Sequence, residues 1–308
     1  RLWAYPPHSL ALAVPFGALG YFTALVLWSL LGLAVLGFGA RRAGMSGWMT
    51  AILLLSPASL HSIYWGQTGN LACGLLLIAL SQRGGRDGVA TGATALLTIK
   101  PQFGLLLPVL WLITRQWGAI VAATVAVAAV LGVAFAIGGP ELWTAYLFET
   151  LPELSLLERH GTGPFVYMIP SAFMALRILT GDGDLAASLH MALAAVLLAW
   201  CVWLMLREDR PQAQRALVLV GTAILTPYLH IYDLTLVLAG ALMIAQFSER
   251  PGSAPSFWVE RAVVASWALP YLTLSLNMLG VPLAPLVMLA LLVLLSQRRS
   301  GRAEQATA

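Results

Sequence analysis

The sequence predicts an all-α polytopic membrane protein, and three observations carry that prediction. Fifty-nine per cent of its residues are apolar and only 10% are charged, against about a quarter charged in a soluble domain; mean hydropathy is +0.83. Runs such as 21–39, 120–138 and 185–206 approach the roughly 20 apolar residues that a helix needs to cross a bilayer. Inside lipid the backbone must satisfy its own hydrogen bonds, which a helix does within one segment. The expected architecture is one membrane domain over residues 1–308, built of roughly ten or eleven transmembrane or re-entrant helices with an outer interfacial loop.

Orientation follows from the basic residues, because Lys and Arg concentrate in cytoplasmic loops near helix ends. Of the 17 Lys and Arg residues, thirteen fall on one side if Arg41, Arg42, Arg83, Arg86, Arg115, Arg207, Arg210, Arg215, Arg250, Arg261, Arg298, Arg299 and Arg302 are cytoplasmic. That leaves Arg1, Arg159, Arg177 and the sole lysine, Lys100, on or toward the other side. The ionisable groups Glu141, Glu149, Glu153, Glu158, His160, Asp182, Asp184, His230 and Asp233 then face outward, and the carboxyl terminus is cytoplasmic. Short arginine clusters between apolar runs are topology, not one basic face, so nucleic-acid binding is set aside despite an isoelectric point near 9.3. Cys73 and Cys201 both lie inside apolar runs and read as small packing residues.

Along the chain, residues 8–17 read as an interfacial or amphipathic stretch, followed by a span to about residue 39. The YWGQTGN segment falls at an outward turn. Residues 89–99 and 102–114 are each too short to cross the bilayer at about 1.5 Å per residue. Bracketed by cytoplasmic Arg86 and Arg115, they are expected to form a hairpin with Lys100 and Pro101 at its tip, since proline breaks a helix and disfavours helix in the residue before it. Residues 139–164 form the longest outer connection, with Trp143, Tyr146 and Phe148 suited to a helix in the interface. Residues 165–180 fit the charge topology only as an interfacial or re-entrant segment. No internal repeat or soluble domain is visible.

Polar residues interrupting apolar segments are expensive in lipid and are therefore functional candidates. Gln67, Asn70, Lys100, His230 and Asp233 stand out. Each also has a structural reading. Asn70 is positioned to cap the next helix, Lys100 can snorkel to the surface, and Asp233 can cap a turn while Tyr228 and Tyr232 anchor at the interface. His230 and Asp233, three residues apart, share a face if that turn is helical. His8 and His61 read as interfacial polar residues, and Arg159 and His160 as loop charges or phosphate contacts. The outer glutamates lack the spacing of a metal site, so no metal is expected.

The segments SIYWGQTGNLACGLLLIAL and LLTIKPQFGLLLPVLWLITRQW resemble the central signature of glycosyltransferase family 87. The opening YPPHSLALAVPFGAL and the later ILTPYLHIYDLTLVLAGAL are similar to the same pattern, so the resemblance covers nearly the whole chain. It implies a GT-C-type bundle that transfers a hexose, mannose in the characterised members, from a polyprenyl-phosphate sugar to a lipid or glycan acceptor. It also implies a multi-pass protein of a bacterial-type plasma membrane, with an extracytoplasmic active site and no cofactor beyond its lipid-linked donor. On that reading Lys100 and Gln102 contact phosphate or sugar; Tyr64, Gln67, Asn70 and Tyr228 line the substrate site; Arg159 and His160 reach it from the outer loop; and His230 and Asp233 take the catalytic positions.

The family begins with a transmembrane helix and an outer loop whose acidic residue is the general base, whereas this sequence opens at Arg1 just before YPP and its first acidic residue is Asp87. An amino-terminal helix, and a base carried upstream of Arg1, are therefore expected, with Asp233 or an outer-loop glutamate as the substitute. Two other classes fit the same polar residues: a transporter or lipid flippase built on broken helices, and a catalytically inactive binding protein.

Overall fold

The structure is a computed structural model that describes residues 3–248 and 256–297. Arg1, Arg250, Arg298, Arg299 and Arg302 of the charge argument lie outside the described residues. Among the described residues every regular element is helical. Four of the helical stretches, Tyr21–Arg42, Trp117–His160, Gly183–Arg207 and Ile231–Ser248, are long and apolar enough to cross a membrane, and shorter apolar helices accompany them. The protein is polytopic and all-α. The chain divides into two compact units, residues 3–55 with 59–166, and residues 56–58 with 167–297.

The first unit opens with a 3₁₀ turn, Pro7–Ser9, that runs into α1 (Leu10–Gly17). Next come α2 (Tyr21–Arg42), α3 (Gly47–Leu54), α4 (Pro57–Tyr64, in this unit from Ser59 on) and α5 (Gly69–Ala79). The main packing contact is α2 on α5, and it depends on small residues. A Cβ added to Gly74 would stand 2.6 Å from the Val35 and Leu36 backbone, and one on Gly39 would stand 2.4 Å from the Gly74 carbonyl oxygen. In lipid, where hydrophobic drive between helices is weak, such close backbone approach is what holds helices together. Every residue of α5 is buried, while α2 exposes Tyr21, Phe22, Val26 and Leu30, the apolar surface expected of a lipid-facing helix.

Asp87 starts α6 (Gly88–Leu97) by accepting the Ala90 N–H at 3.1 Å, and its carboxylate also pairs with Arg42 at the end of α2. The chain then breaks at Lys100, turns through a 3₁₀ segment, Pro101–Gly104, and returns as α7 (Leu106–Ile113). With ten and eight residues the two arms rise about 15 and 12 Å. Each arm covers roughly half of a 30 Å hydrocarbon core, so the short hairpin expected from the sequence is present. Gln116 accepts the Gly84 N–H at 3.3 Å, which brings the loop carrying Arg83 and Arg86 to Arg115 and gathers these cations at one end of the unit.

From Trp117 the chain is one long helical stretch, α8 (Trp117–Ala145), a π-turn over Tyr146–Thr150, and α9 (Leu151–His160). At Gly139 the backbone departs from helix, with φ 72° and ψ 170°, a conformation open to glycine, and Pro140 follows. The outer connection read from the sequence is thus mostly helix set off by one residue, with Trp143, Tyr146 and Phe148 after the break. A single turn, α10 (Pro164–Tyr167), lies where the two units meet in sequence.

In the second unit, α11 (Ala172–Thr180) is capped by Ser171 and rises only about 14 Å, which suits a re-entrant or interfacial element. Asp182 caps α12 (Gly183–Arg207), accepting the Asp184 and Leu185 N–H groups at 2.8 and 3.0 Å. The centre is the pair α13 (Pro211–Leu225) and α14 (Thr235–Ser248), flanked by α15 (Phe257–Met278) and α16 (Ala284–Gln297). Arg210 binds Glu208 at 2.7 Å and lies over the Phe247 ring, joining the α12–α13 connection to the end of α14. Cys73 and Cys201 are buried thiols on α5 and α12.

Candidate functional site

In the first unit the functional candidates gather around the hairpin tip and the YWGQTGN turn. Lys100 is only 4% exposed, with non-helical φ −128° and ψ 75°, and its Nζ lies 5.1 Å from the centroid of the Phe103 ring. A lysine held this deep is not snorkelling into water. Phe103, fully buried, supplies an aromatic face for the ammonium. Gln102 is half-buried on the 3₁₀ turn beside it.

A cavity of about 370 Å³ adjoins this tip at Ile99. Its wall carries six aromatic rings, from Trp3, Tyr5, Phe16, Tyr21, Trp28 and Trp65. Gln67, Thr68 and Ser9 add a polar side. These polar groups are ordered. Tyr5 Oη lies 3.0 Å from Thr68 Oγ1 and donates a long, 3.5 Å bond to Gln67 Oε1, and Trp3 Nε1 donates to Ser9 Oγ at 2.9 Å. Among the sequence candidates, Gln67 enters this cavity; Tyr64 stands outside it, 74% exposed and edge-on to Trp65.

Asn70 plays a different part from the capping role read from the sequence. It sits inside the first turn of α5, 2% exposed, and its Nδ2 donates to the Ser59 carbonyl at 3.2 Å. The end of α5 is instead served by Ser62, whose hydroxyl accepts the Asn70 N–H at 3.2 Å and donates to the Gln67 carbonyl at 3.0 Å. Asn70 therefore locks α4 to α5 beneath the turn that carries Gln67.

A second cavity, about 550 Å³, lies between α6, α7 and α8 on the other side of the same strand of chain. Thr98 and Pro101 line it, and apart from Thr94, Thr98 and Thr124 its wall is apolar or aromatic. Residues 98–101 thus form a partition, with Ile99 toward the aromatic cavity and Thr98 and Pro101 toward the apolar one.

His8, read from the sequence as an interfacial polar residue, is buried and braces this partition together with Trp143. His8 is 6% exposed, its Nε2 lies 3.0 Å from Thr98 Oγ1, and its ring stacks on the Trp143 indole at 6.2 Å. Burial pulls its pKa below 6.5, opposed by a hydrogen bond to Thr98. Arg159 and His160 occupy the last turn of α9 and line neither cavity.

The second unit holds Tyr228, His230 and Asp233. A 3₁₀ turn, Ile231–Leu234, leads into α14. Asp233 is 1% exposed and accepts the His230 backbone N–H at 3.2 Å, so the capping role expected of it is present. The buried His230 ring stacks parallel on Tyr232 at 4.8 Å and meets Tyr228 edge-on at 5.8 Å. The turn is tied at its start, where Ile231 donates its N–H to the Met168 carbonyl at 3.2 Å. Asn277 of α15 donates to the Tyr167 and Ile169 carbonyls at 2.9 and 3.3 Å and so holds the strip that receives this bond. Asn277 was invisible to sequence reasoning because its partners lie more than a hundred residues away.

Among the described residues no three His, Cys, Asp or Glu side chains gather as a metal site would require. No curated protein and no solved structure matches the chain. The sequence profile of glycosyltransferase family 87 matches residues 3–227, a stretch that includes the whole first unit as described, with both of its cavities, and the second unit as far as Pro227, just before Tyr228, His230 and Asp233. With well over half of its length matched, and with the buried hairpin lysine and the YWGQTGN turn inside the match, the chain belongs to glycosyltransferase family 87.

Proposed function

We propose that this membrane glycosyltransferase transfers a hexose, mannose by family resemblance, from a polyprenyl-phosphate donor to a lipid or glycan acceptor on the extracytoplasmic side. The observation that carries the reading is Lys100, the only lysine of the chain, buried at the break of a hairpin too short to cross a bilayer. Irregular backbone at membrane depth is tolerated where it is buried in protein or lines a cavity, and a charge there is a functional candidate.

In the reaction an acceptor hydroxyl oxygen bonds to the anomeric carbon while the bond from that carbon to the phosphate oxygen breaks. The hydroxyl proton passes to a carboxylate, and the lipid phosphate leaves with one more negative charge. A fixed ammonium is worth more to that leaving group than to the ground-state diester, which is the condition for lowering the barrier. Lys100 takes that role, with Gln102 beside it. The apolar cavity behind Pro101 supports the lipid half of the donor, since it offers room for the first isoprene units. In the second unit the same reading gives the His230 ring and the Asp233 carboxylate to the substrate as hydrogen-bonding groups.

The test is consumption of polyprenyl-phosphate mannose by the protein in nanodiscs. Lys100→Met is expected to lower turnover about a hundredfold or more, with Lys100→Arg intermediate and both variants melting near the parent. Full turnover in Lys100→Met overturns the assignment, and appearance of the unchanged donor across sealed vesicles would instead mark a transporter.

A further inference from the structure

We infer that the aromatic cavity of the first unit is a binding site for an uncharged sugar ring, and, resting on the reading above, that this ring belongs to the acceptor. Two of its features select a carbohydrate. Flat aromatic rings such as those of Trp3, Tyr5 and Trp65 suit the C–H faces of a pyranose, which are apolar and weakly positive against the ring's negative face. The polar side carries Ser9, Thr68 and the Gln67 amide, groups that each both donate and accept and so match hydroxyls that do the same.

Charge decides between a sugar and its phosphate. Among the described residues no Lys, Arg, Asp or Glu lines this cavity. An anion entering it would lose its hydration and meet no counter-charge from these residues, which is strongly unfavourable. The cation of this region is Lys100, and Ile99, the residue that faces the cavity, puts an apolar side chain in the wall next to it. Its volume of about 370 Å³ lies at the small end of ligand sites, about 300–1,000 Å³, as one or two sugar rings require. The partition at residues 98–101 therefore separates two environments, an aromatic cavity suited to a neutral ring on the Ile99 side and an apolar one suited to lipid on the Thr98 and Pro101 side, while Lys100, the candidate phosphate contact, lines neither. An acceptor bound this way presents a hydroxyl across the partition, and the protein selects acceptors by an uncharged terminal sugar instead of a phosphorylated headgroup.

Saturation-transfer NMR on the full chain in nanodiscs tests this with methyl α-D-mannopyranoside as the neutral probe and decyl phosphate as the anionic one. The mannoside is expected to receive saturation mainly at its ring C–H protons. Trp65→Ala and, separately, Gln67→Ala are expected to weaken it about tenfold, and decyl phosphate to leave it in place. Trp65 is 53% exposed, so its truncation removes a wall without opening a core, and Gln67→Ala provides a second reading. An equal mannoside signal in both variants, or displacement of the mannoside by decyl phosphate, overturns the assignment. Lys100→Met separates the two readings. If it abolishes transfer while mannoside binding persists, both stand. If it leaves transfer intact, the donor assignment falls and the neutral-sugar site is judged on the Trp65 and Gln67 variants alone.

Discussion

His8 Nε2 lies 3.0 Å from Thr98 Oγ1, across ninety residues of sequence, and so fastens the amino-terminal segment to the end of α6 two residues before Lys100. The same His8 ring stacks on Trp143, just past the Gly139 break. Three separate stretches of the first unit thus converge on the residues that set the position of Lys100. Thr98→Val keeps the shape and removes the hydroxyl. It is expected to speed hydrogen exchange over residues 5–9 and to raise the KM for the donor with little change in global melting, because a single buried hydrogen bond is worth about 1 kcal/mol.

The same histidine predicts a pH dependence. Its pKa in the folded protein is lowered below 6.5, chiefly by burial, with a hydrogen bond to Thr98 opposing. The unfolded segment therefore binds more protons than the folded one just below that value, and stability falls as pH falls. The contribution is complete above pH about 6.5 and is lost progressively below it. Exchange protection over residues 5–9 is expected to be flat between pH 7 and 8 and to drop toward pH 5. His8→Gln is expected to remove that drop, and equal protection at pH 7 and pH 5 in the parent would contradict it.

At the other end of α6, Asp87 does two things: it caps the helix through Ala90 and pairs with Arg42. Burial alone would raise its pKa, but the Ala90 hydrogen bond and the Arg42 guanidinium together bring it below the usual carboxylate range. Asp87→Ala is expected to cost about 1 kcal/mol, mostly from the cap, since a partly exposed ion pair contributes little. Asp87→Asn keeps the cap and is expected to cost less. Melting of the two variants in one detergent separates the contributions, and equal losses would assign the effect to the ion pair.

The α2–α5 contact makes a sharper prediction. Gly74→Ala places a methyl group 2.6 Å from the Val35 and Leu36 backbone, where no flexible side chain can move aside. The expected cost is about 1–3 kcal/mol, as for overpacking. Gly92→Ala in α6 meets nothing within 4 Å, so it is expected to be neutral or slightly stabilising. A comparable fall in melting temperature for both would show that close helix approach is not the reason for glycine at 74.

These residues show what the sequence could and could not disclose. The half-height hairpin was legible because its causes are local: arginines at 86 and 115 fix both ends on one side, and Pro101 breaks the helix after Lys100. The polar set at 67, 100, 230 and 233 was legible because lipid makes such residues conspicuous. Of the two readings of Asn70, a cap or a substrate-site residue, the structure removes the cap, since the amide turns to Ser59, eleven residues back, and the capping falls to Ser62. His8, Thr98 and Asn277 gain their roles only from partners about ninety to a hundred and ten residues away, and pattern within a window cannot supply those. The division of the first unit into an aromatic and an apolar cavity was equally hidden, because the rings at 3, 28 and 65 meet only in the fold.

Asn277 offers the clearest test of how the second unit holds its candidate residues. Its Nδ2 is shared between the Tyr167 and Ile169 carbonyls, and the Met168 carbonyl between them accepts the Ile231 N–H that begins the turn bearing Asp233. Asn277 is 3% exposed, so removing its amide leaves those carbonyls buried with fewer donors. Asn277→Leu is expected to cost about 1–3 kcal/mol through unsatisfied acceptors and to loosen residues 167–169 and 231–234 together. Asn277→Gln, with the same amide on a longer arm, is expected to recover part of that loss. Hydrogen exchange at Ile231 reads the coupling directly, since its N–H is one residue removed from the substituted contact. Faster exchange there in Asn277→Leu, with the α13 core unchanged, would establish Asn277 as a positioning residue for the turn. Uniform loss of protection across the unit would reduce it to a general packing contact.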